Sequence, residues 1–155
     1  MSTTGPAIES PELGAWIEQL AQHLQDGPYN EPLSGAVVLA QERIQSAFAE
    51  ARSPGGEKWP LHAPLTVWLY GPHPLLILSG ALAASVIGPG DEGHIEEIGS
   101  HEAITGTSIK YAKIQQEGGT VTGMFGTVDI PQREYHGIDK YTADQMAELL
   151  ADFLI

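Results

Sequence analysis

The sequence predicts an α+β fold with two N-terminal helices, a small antiparallel sheet that carries an extended arm or hairpin, and a C-terminal helix. Two segments near the start and one at the end repeat apolar residues at helical spacing. Between them lie short segments rich in Val, Ile and Thr, separated by many of the 18 glycines and 11 prolines. A length of 155 residues fits one domain, so residues 1–155 are expected to fold as a single unit.

The first helix is predicted at residues 10–26, after an N-terminal tail at residues 1–9. Ser10 is the expected N-cap, and Pro11 suits the first helical position, where no backbone N–H is needed. Apolar residues recur at helical spacing along this segment, namely Leu13, Trp16, Ile17, Leu20 and Leu24. Such a stripe is typical of a helix that packs on a core, and we therefore expect Trp16 to be a core residue.

A second helix is predicted at residues 33–51, after a break in the segment DGPYNEP. Its apolar stripe consists of Val37, Ala40, Ile44 and Phe48. Residues 52–64 have the composition of a loop. Trp59 and Trp68 flank the proline-rich end of this loop, where either core packing or contact with a partner would suit them.

The middle of the chain is predicted to hold the sheet and the arm. The segment LTVWLY fits either a strand or a helical turn, and a helix over 78–84 is expected to run into a strand over 85–88. Residues 94–100 predict a strand, and the Gly-interrupted residues 121–130 predict a hairpin within an arm at 115–136. The last helix is predicted at 142–155, with Thr142 as its cap and an apolar face of Met146, Leu149, Leu150 and Phe153.

Composition excludes some classes of function and disfavours others. The chain has no cysteine, so it has neither disulfides nor thiolate chemistry. Its net charge of −13 repels phosphate and disfavours specific binding of nucleic acid, although DNA could still slide past it. The longest apolar run is too short and too polar to span a bilayer, and the N-terminus lacks the pattern of a secretory signal. We therefore expect a soluble intracellular product with no membrane partner.

One cluster of potential metal ligands stands out, formed by His94, Glu96, Glu97, His101 and Glu102. His94 and Glu96 would share one face of a strand and could both reach a metal ion. The spacing matches no established metal motif, however, so an ordinary solvated strand and turn is the favoured interpretation. The alternative is a small cytoplasmic metal-dependent enzyme that uses this cluster.

Other catalytic signatures are absent from the sequence. None of the serines lies in a GxSxG elbow, and the glycine pairs do not form a phosphate-binding GxxxxGK[ST] loop. A chain with many loops and no concentrated chemistry is more typical of a binding or assembly component. We therefore expect neither catalysis nor a cofactor.

Six short motifs follow one another in a characteristic order. They comprise Phe48 at a helix end; Gly56, Trp59, Pro60, Leu61 and Thr66; Leu78, Gly80, Leu82 and Ser85; Ile98, Gly99 and Ser100; Tyr111, Ala112, Ile114, Gln116, Gly118 and Gly119; and Ile130, Pro131, Arg133 and Gly137. In this order, over about residues 10–155, the chain resembles the tailed-phage virion morphogenesis proteins, also called tail completion proteins. It departs from them at Gln115, where the family usually has His, and at Tyr135 and His136, where it has Phe and Leu.

The resemblance implies a structural role late in phage assembly, at the neck or the head-proximal end of the tail. It implies a self-associated ring, with a hexamer preferred, that contacts head connector or adaptor proteins and tail terminator or tube proteins. The chain would be found in the virion neck or tail, and in the host cytoplasm during assembly. DNA would pass through the ring without being specifically bound.

Nine residues are expected to take part in assembly, which are Trp59, Tyr111, Gln115, Gln116, Val121, Met124, Phe125, Arg133 and Tyr135. Val121, Met124 and Phe125 are included because the arm is expected to expose them beyond a glycine hinge. In this interpretation IKYAKIQQEGGT is a folding and assembly motif rather than a catalytic one. Tyr111 is expected to bury its ring and hydrogen-bond through its hydroxyl. Arg133, one of only three arginines, is expected to form a buried ion pair or a bidentate contact between subunits.

Overall fold

In the computed structural model, which describes residues 11–124 and 126–154, the chain forms six helices and two separate two-stranded antiparallel sheets. The helices are α1 (Pro11–Asp26), α2 (Asn30–Glu50), α3 (Pro64–Tyr70), α4 (Ala81–Ile87), α5 (Ala112–Glu117) and α6 (Lys140–Leu154). The strands are β1 (His94–Ile98), β2 (Ala103–Thr107), β3 (Gly119–Gly123) and β4 (Gly126–Ile130). The predicted α+β class is confirmed. The predicted tail at 1–9, Ser10 and Phe125 lie outside the described residues.

The core lies around the C-terminal half of α2. Its members are all apolar or aromatic and are Ile44, Ala47, Phe48, Trp59, Leu75, Leu82, Val86, Ala112 and Tyr135. The Phe48 ring meets Trp59 edge-on at 5.6 Å and lies 5.4 Å from the ring of Tyr135, so three distant segments share one aromatic contact. The α2 stripe predicted from the sequence is confirmed, because Val37, Ala40, Ile44 and Phe48 are all buried.

The two sheets differ in how they are supported. The β1–β2 pair, in which His94 lies opposite Thr107, packs against α2 and α4. The β3–β4 pair, in which Gly119 lies opposite Ile130, is a hairpin whose residues are nearly all exposed. The predicted strand and the predicted hairpin arm are therefore both present.

Two element predictions in the first half are corrected by the structure. Helix α2 begins at Asn30 rather than residue 33, because Pro32 lies in the first turn, where a missing N–H breaks no helical hydrogen bond. The segment 85–88 is not a strand, since α4 continues to Ile87. Inside α4, the Ser85 hydroxyl is fully buried and donates to the Leu82 carbonyl oxygen at 2.8 Å. The ambiguous LTVWLY segment is helical and forms most of α3.

The C-terminal helix begins two residues earlier than predicted, and Thr142 is not its cap. Asp139 precedes the first helical residue, and its carboxylate accepts the Thr142 backbone N–H at 2.8 Å. Asp139 also lies 2.9 Å from the guanidinium of Arg43, which ties α6 to α2. Hydrogen bonds from Thr142, together with the charge of Arg43, lower the pKa of Asp139.

The apolar stripe of α1 does not pack on the core. Trp16 is 56% exposed, so its predicted place in the core is wrong. The end of α1 is held against the rest of the fold, because the His23 ring lies 5.5 Å from Phe153 and the His23 carbonyl accepts the Tyr29 hydroxyl at 2.8 Å. Among the described residues, no helix combines the length and apolar character needed to cross a membrane.

Candidate assembly surface

Helix α3 presents an apolar surface that residues 11–124 and 126–154 leave uncovered. Pro64 occupies the first turn, and Gly71 ends the helix with a positive φ of 74°. Proline suits the start of a helix and glycine suits its end, so these two residues determine the bounds of this short helix. None of its residues is buried, and Trp68 is 79% exposed. The helix contains no charged residue. An uncharged and exposed apolar helix is typical of a surface that contacts another molecule.

The chain that enters α3 is held by Arg133 and Trp59. The buried Arg133 guanidinium donates to the Pro60 carbonyl at 2.9 Å and to the Leu61 carbonyl at 3.1 Å. The Trp59 indole N–H donates to the Glu134 carbonyl at 2.8 Å. Hydrogen bonds therefore run in both directions between the segment around Arg133 and the chain that leads into α3. They fix the position at which α3 begins.

The ion pair expected for Arg133 is not found among residues 11–124 and 126–154. Its acceptors are backbone carbonyls, which satisfy the fork of donors without a carboxylate. Burial lowers the pKa of the guanidinium from its usual range. The sequence identified the residue but not its partners, because the partners are backbone atoms that no side-chain pattern marks.

Two histidines whose rings are in contact flank α3 and were not identified from the sequence. The ring centroids of His62 and His73 are 4.2 Å apart. His62 Nε2 lies 3.2 Å from the His73 carbonyl, and His73 Nδ1 lies 2.9 Å from the Gly71 carbonyl. Because a carbonyl only accepts, these two nitrogens carry protons when the bonds form. These contacts join the residues that precede α3 to the residues that follow it.

Gln116 and Tyr135 join the IKYAKIQQEGGT segment to the C-terminal part of the chain. The Gln116 amide oxygen accepts the backbone N–H groups of Tyr135 and His136 at 2.9 and 3.0 Å, and its amide nitrogen donates to the His136 carbonyl at 2.8 Å. The Tyr135 hydroxyl donates to the Ala112 carbonyl at 3.3 Å, and burial raises the pKa of Tyr135. These residues have clear roles in folding, and their direct role in assembly stays a prediction.

Tyr111 and Gln115 differ from the sequence-based expectation in different ways. The ring of Tyr111 is not buried, since the residue is 47% exposed. The backbone carbonyl of Gln115 accepts the Arg133 backbone N–H at 2.9 Å. The side-chain oxygen of Gln115 is buried, and it has no hydrogen-bond partner among the described residues.

The glycine pair after this motif directs the chain into the hairpin. Gly118 has a φ of 73°, and a Cβ there would lie 2.8 Å from the backbone nitrogen of Gln132, so no larger residue fits without movement. Gly119 follows with a φ of 151° and opens β3. This pair therefore turns the chain out of α5 and into the hairpin.

The hairpin has one polar and one apolar face. On the polar face, Thr120 donates to Asp129 at 2.9 Å, and the hydroxyls of Thr122 and Thr127 are 3.3 Å apart. The cross-strand pair Val121 and Val128 alternates with these residues and so occupies the opposite face, where both valines remain exposed. At the tip, Met124 is 93% exposed.

A groove of about 490 Å³ separates α3 from the base of the hairpin. Its lining includes Thr66 and Tyr70 from α3, Val128 and Ile130 from β4, and the intervening Tyr111 and Gln115. Helix α3 and the hairpin therefore lie on the same side of the subunit. We refer to the surface formed by Pro64–Tyr70 and Gly119–Ile130 as the projecting face.

Two members of the histidine–glutamate cluster, His94 and Glu96, are held by contacts inside the fold, whereas Glu97, His101 and Glu102 are exposed. His94 Nδ1 lies 2.7 Å from the Ser85 carbonyl, and Nε2 lies 3.2 Å from Glu96, which also accepts Gln41 Nε2 at 2.7 Å. Hydrogen bonds from Gln41 and then from His94 lower the pKa of Glu96. The His94 side chain is only 5% exposed, so a solvated strand edge is the wrong description of it. Within the described ranges, no group of three or more His, Asp or Glu side chains is arranged to hold a metal ion.

A folded core with apolar elements exposed on its surface is typical of proteins that bind other molecules. Comparison with protein families identifies the family of this chain: the model of the phage virion morphogenesis family matches residues 9–154. The chain therefore belongs to the phage virion morphogenesis family, and its role lies in building the phage particle. No curated protein and no solved structure matches the chain.

Proposed function

We propose that this chain is a ring-forming structural subunit at the neck of a tailed-phage virion, where it helps to join the head connector to the tail. It acts by binding its neighbours and performs no catalysis. The hairpin is the observation that carries the proposal, since it extends an apolar face and an exposed Met124 away from the core of a virion morphogenesis protein.

The hairpin has the properties of an element that is completed by a neighbour. A two-stranded hairpin has only marginal stability alone in water, and unpaired strand edges are open to further contacts. Here Val121 and Val128 form an apolar cross-strand pair that no part of the described subunit buries. Contact with a second copy would cover this pair and support the hairpin.

A closed ring requires two different, complementary faces on each subunit. The projecting face supplies one of them. The family resemblance favours a hexamer, with head connector or adaptor proteins on one side and tail terminator or tube proteins on the other. The net charge of −13 suits a ring through which DNA passes without adhering.

The proposal is tested by placing the same charges on either face of the hairpin. The double variant Val121→Asp with Val128→Asp puts two carboxylates on the apolar face. The control, Thr122→Asp with Thr127→Asp, puts the adjacent cross-strand pair of carboxylates on the polar face, where Asp129 already lies, so the control also carries like-charge repulsion within the hairpin.

The valine variant is expected to fold but to be lost from particles, because charge would be forced into an apolar contact. The threonine variant is expected to enter particles at a yield close to that of the wild type. Urea unfolding measures folding, and quantitative mass spectrometry of purified particles measures incorporation. Normal incorporation of the valine variant would show that this face of the hairpin is not a joint.

A further inference from the structure

Helix α3 has the composition of a buried helix but lies on the surface. A helix that is apolar all round is normally enclosed by other elements. The exposed apolar residues of α3 are Leu65, Val67, Trp68, Leu69 and Tyr70. Among the described elements, α3 makes no extensive packing contact with another helix or strand. Its surface is therefore left open, by the part of the chain that the structure describes, to a partner from another subunit.

A second apolar feature lies near the start of α2. We refer to it as the α2–α6 groove, a depression of about 500 Å³ lined by Leu24, Tyr29, Pro32, Leu33, Ala36, His101, Met146, Ala147 and Leu150. The lining contains no Asp, Glu, Lys or Arg. A groove between packed helices is a common receptor for an apolar helix from another molecule.

Helix α3 and the α2–α6 groove are two apolar surfaces on a strongly acidic chain, and this makes them suited to contact one another. Each copy carries a net charge of −13, so two copies repel one another over most of their surfaces. Bringing like charges together across an interface is unfavourable, whereas two uncharged apolar surfaces meet without this penalty. Neither helix α3 nor the groove lining contains an Asp, Glu, Lys or Arg side chain, and His101 is the one titratable imidazole in the lining.

The two surfaces lie toward opposite ends of α2. The segment that enters α3 is anchored by Trp59, which packs on Phe48 in the last turns of α2. The groove is formed by Pro32 and Leu33 in the first turns. Leu33 and Phe48 are separated by roughly 22 Å along the helix axis at the standard rise per residue. One subunit can therefore offer α3 to a neighbour while its groove receives the α3 of another.

We propose that α3 of one copy binds in the α2–α6 groove of the next copy, with Trp68 as its central anchor. This inference rests on the proposed function, because a ring needs a contact between two different faces, whereas pairing of two α3 helices would stop at a dimer. Exposed tryptophans are common centres of binding energy. The hairpin lies beside α3 on the projecting face and meets the same neighbour.

The absence of cysteine makes this contact directly testable. Two full-length variants, Leu69→Cys and Ala147→Cys, are combined and oxidised, both as purified proteins and within particles made in cells that express the two together. A disulfide forms only when the two Cα atoms come within about 7 Å. The control pairs Leu69→Cys with Glu42→Cys, which places the second thiol on an exposed part of α2 outside the groove.

The expected result is a linked dimer of Leu69→Cys with Ala147→Cys, and little linkage with Glu42→Cys. In addition, Trp68→Glu should raise the concentration needed for association by at least about tenfold. Its fold is monitored through the buried Trp59. Equal linkage of both pairs, no linkage of either pair, or dominant linkage of Leu69→Cys to itself would overturn the proposed contact.

Incorporation of the wild-type chain into particles separates this inference from the proposed function. If the chain is present in particles but the groove pair does not link, the contact is wrong and the neck role stands. If the groove pair links but the chain is absent from particles, the contact is supported and the neck role is wrong.

Discussion

At the scale of single residues, Arg133 and Trp59 determine where α3 begins. The sequence singles out both residues but gives no indication of their acceptors. Trp59 bonds to Glu134, 75 positions away, and Arg133 bonds to Pro60, 73 positions away. Both acceptors are backbone carbonyls, whose positions depend on the complete fold. This is why the sequence did not indicate the acceptors of Arg133, and the fork between subunits, the other alternative predicted for it, stays a prediction.

The contacts of Arg133 predict an effect on folding as well as on assembly. In Arg133→Lys, a single ammonium replaces a planar group that reaches two carbonyls at once, so one buried carbonyl loses its partner. We expect the free energy of unfolding in urea to fall by about 1–3 kcal/mol.

Arg52→Lys is the matched control, because Arg52 is also bonded to a carbonyl but in an exposed position. It should change the free energy of unfolding by less than about 0.5 kcal/mol. If Arg133→Lys were as stable as the wild type, the carbonyl contacts would not be what holds the start of α3.

At the scale of elements, periodicity predicted which faces are apolar but not what covers them. The stripes of α1 and α2 look alike in sequence, yet Ile44 is buried whereas Trp16 is 56% exposed. Nothing in the spacing of residues separates a face that packs in its own subunit from one that is left free. Helix α3 was ambiguous for a related reason, since a short apolar run fits a strand or a helix equally well. The signal that could have resolved it is the proline before the run and the glycine after it.

The exposure of α1 predicts that the core folds without it. Deleting residues 1–26 removes a helix none of whose described side chains is buried. We expect the free energy of unfolding to fall by only about 1–2 kcal/mol, because the Tyr29 hydroxyl loses the His23 carbonyl, with a single cooperative transition in urea followed by Trp59 fluorescence.

The core substitution Ile44→Ala provides the comparison, because it leaves a cavity at a fully buried site and should lower the free energy of unfolding by about 2–5 kcal/mol. Loss of cooperative unfolding in the chain that lacks residues 1–26 would mean that α1 is part of the folding unit.

At the scale of the whole molecule, the chain combines a strong acidic charge with uncharged apolar surfaces, and the proposed ring subunit would use both. The charge was evident from composition, and the hairpin was predicted from its glycines and valines. The α2–α6 groove could not be predicted, because it brings together residues from Leu24 to Leu150 that only the fold makes neighbours. The pairing of this groove with α3 is therefore an inference from the structure.

The same charge predicts that the purified protein does not bind duplex DNA at physiological salt. Roughly six copies would together carry about −78, and non-specific binding to DNA depends on neutralising phosphates. A gel-shift titration at micromolar protein should show free DNA throughout. A shift that weakens steeply as salt rises would instead indicate a basic surface that grips DNA.

The number of copies per particle tests the central claim most directly. Purified virions are digested, and peptides of this chain are counted against isotope-labelled standards, with a protein of known copy number as the reference. A single ring at the neck predicts about six copies in each particle. Absence of the chain from virions, or a number as large as that of a capsid or tail-tube protein, would contradict the proposed role.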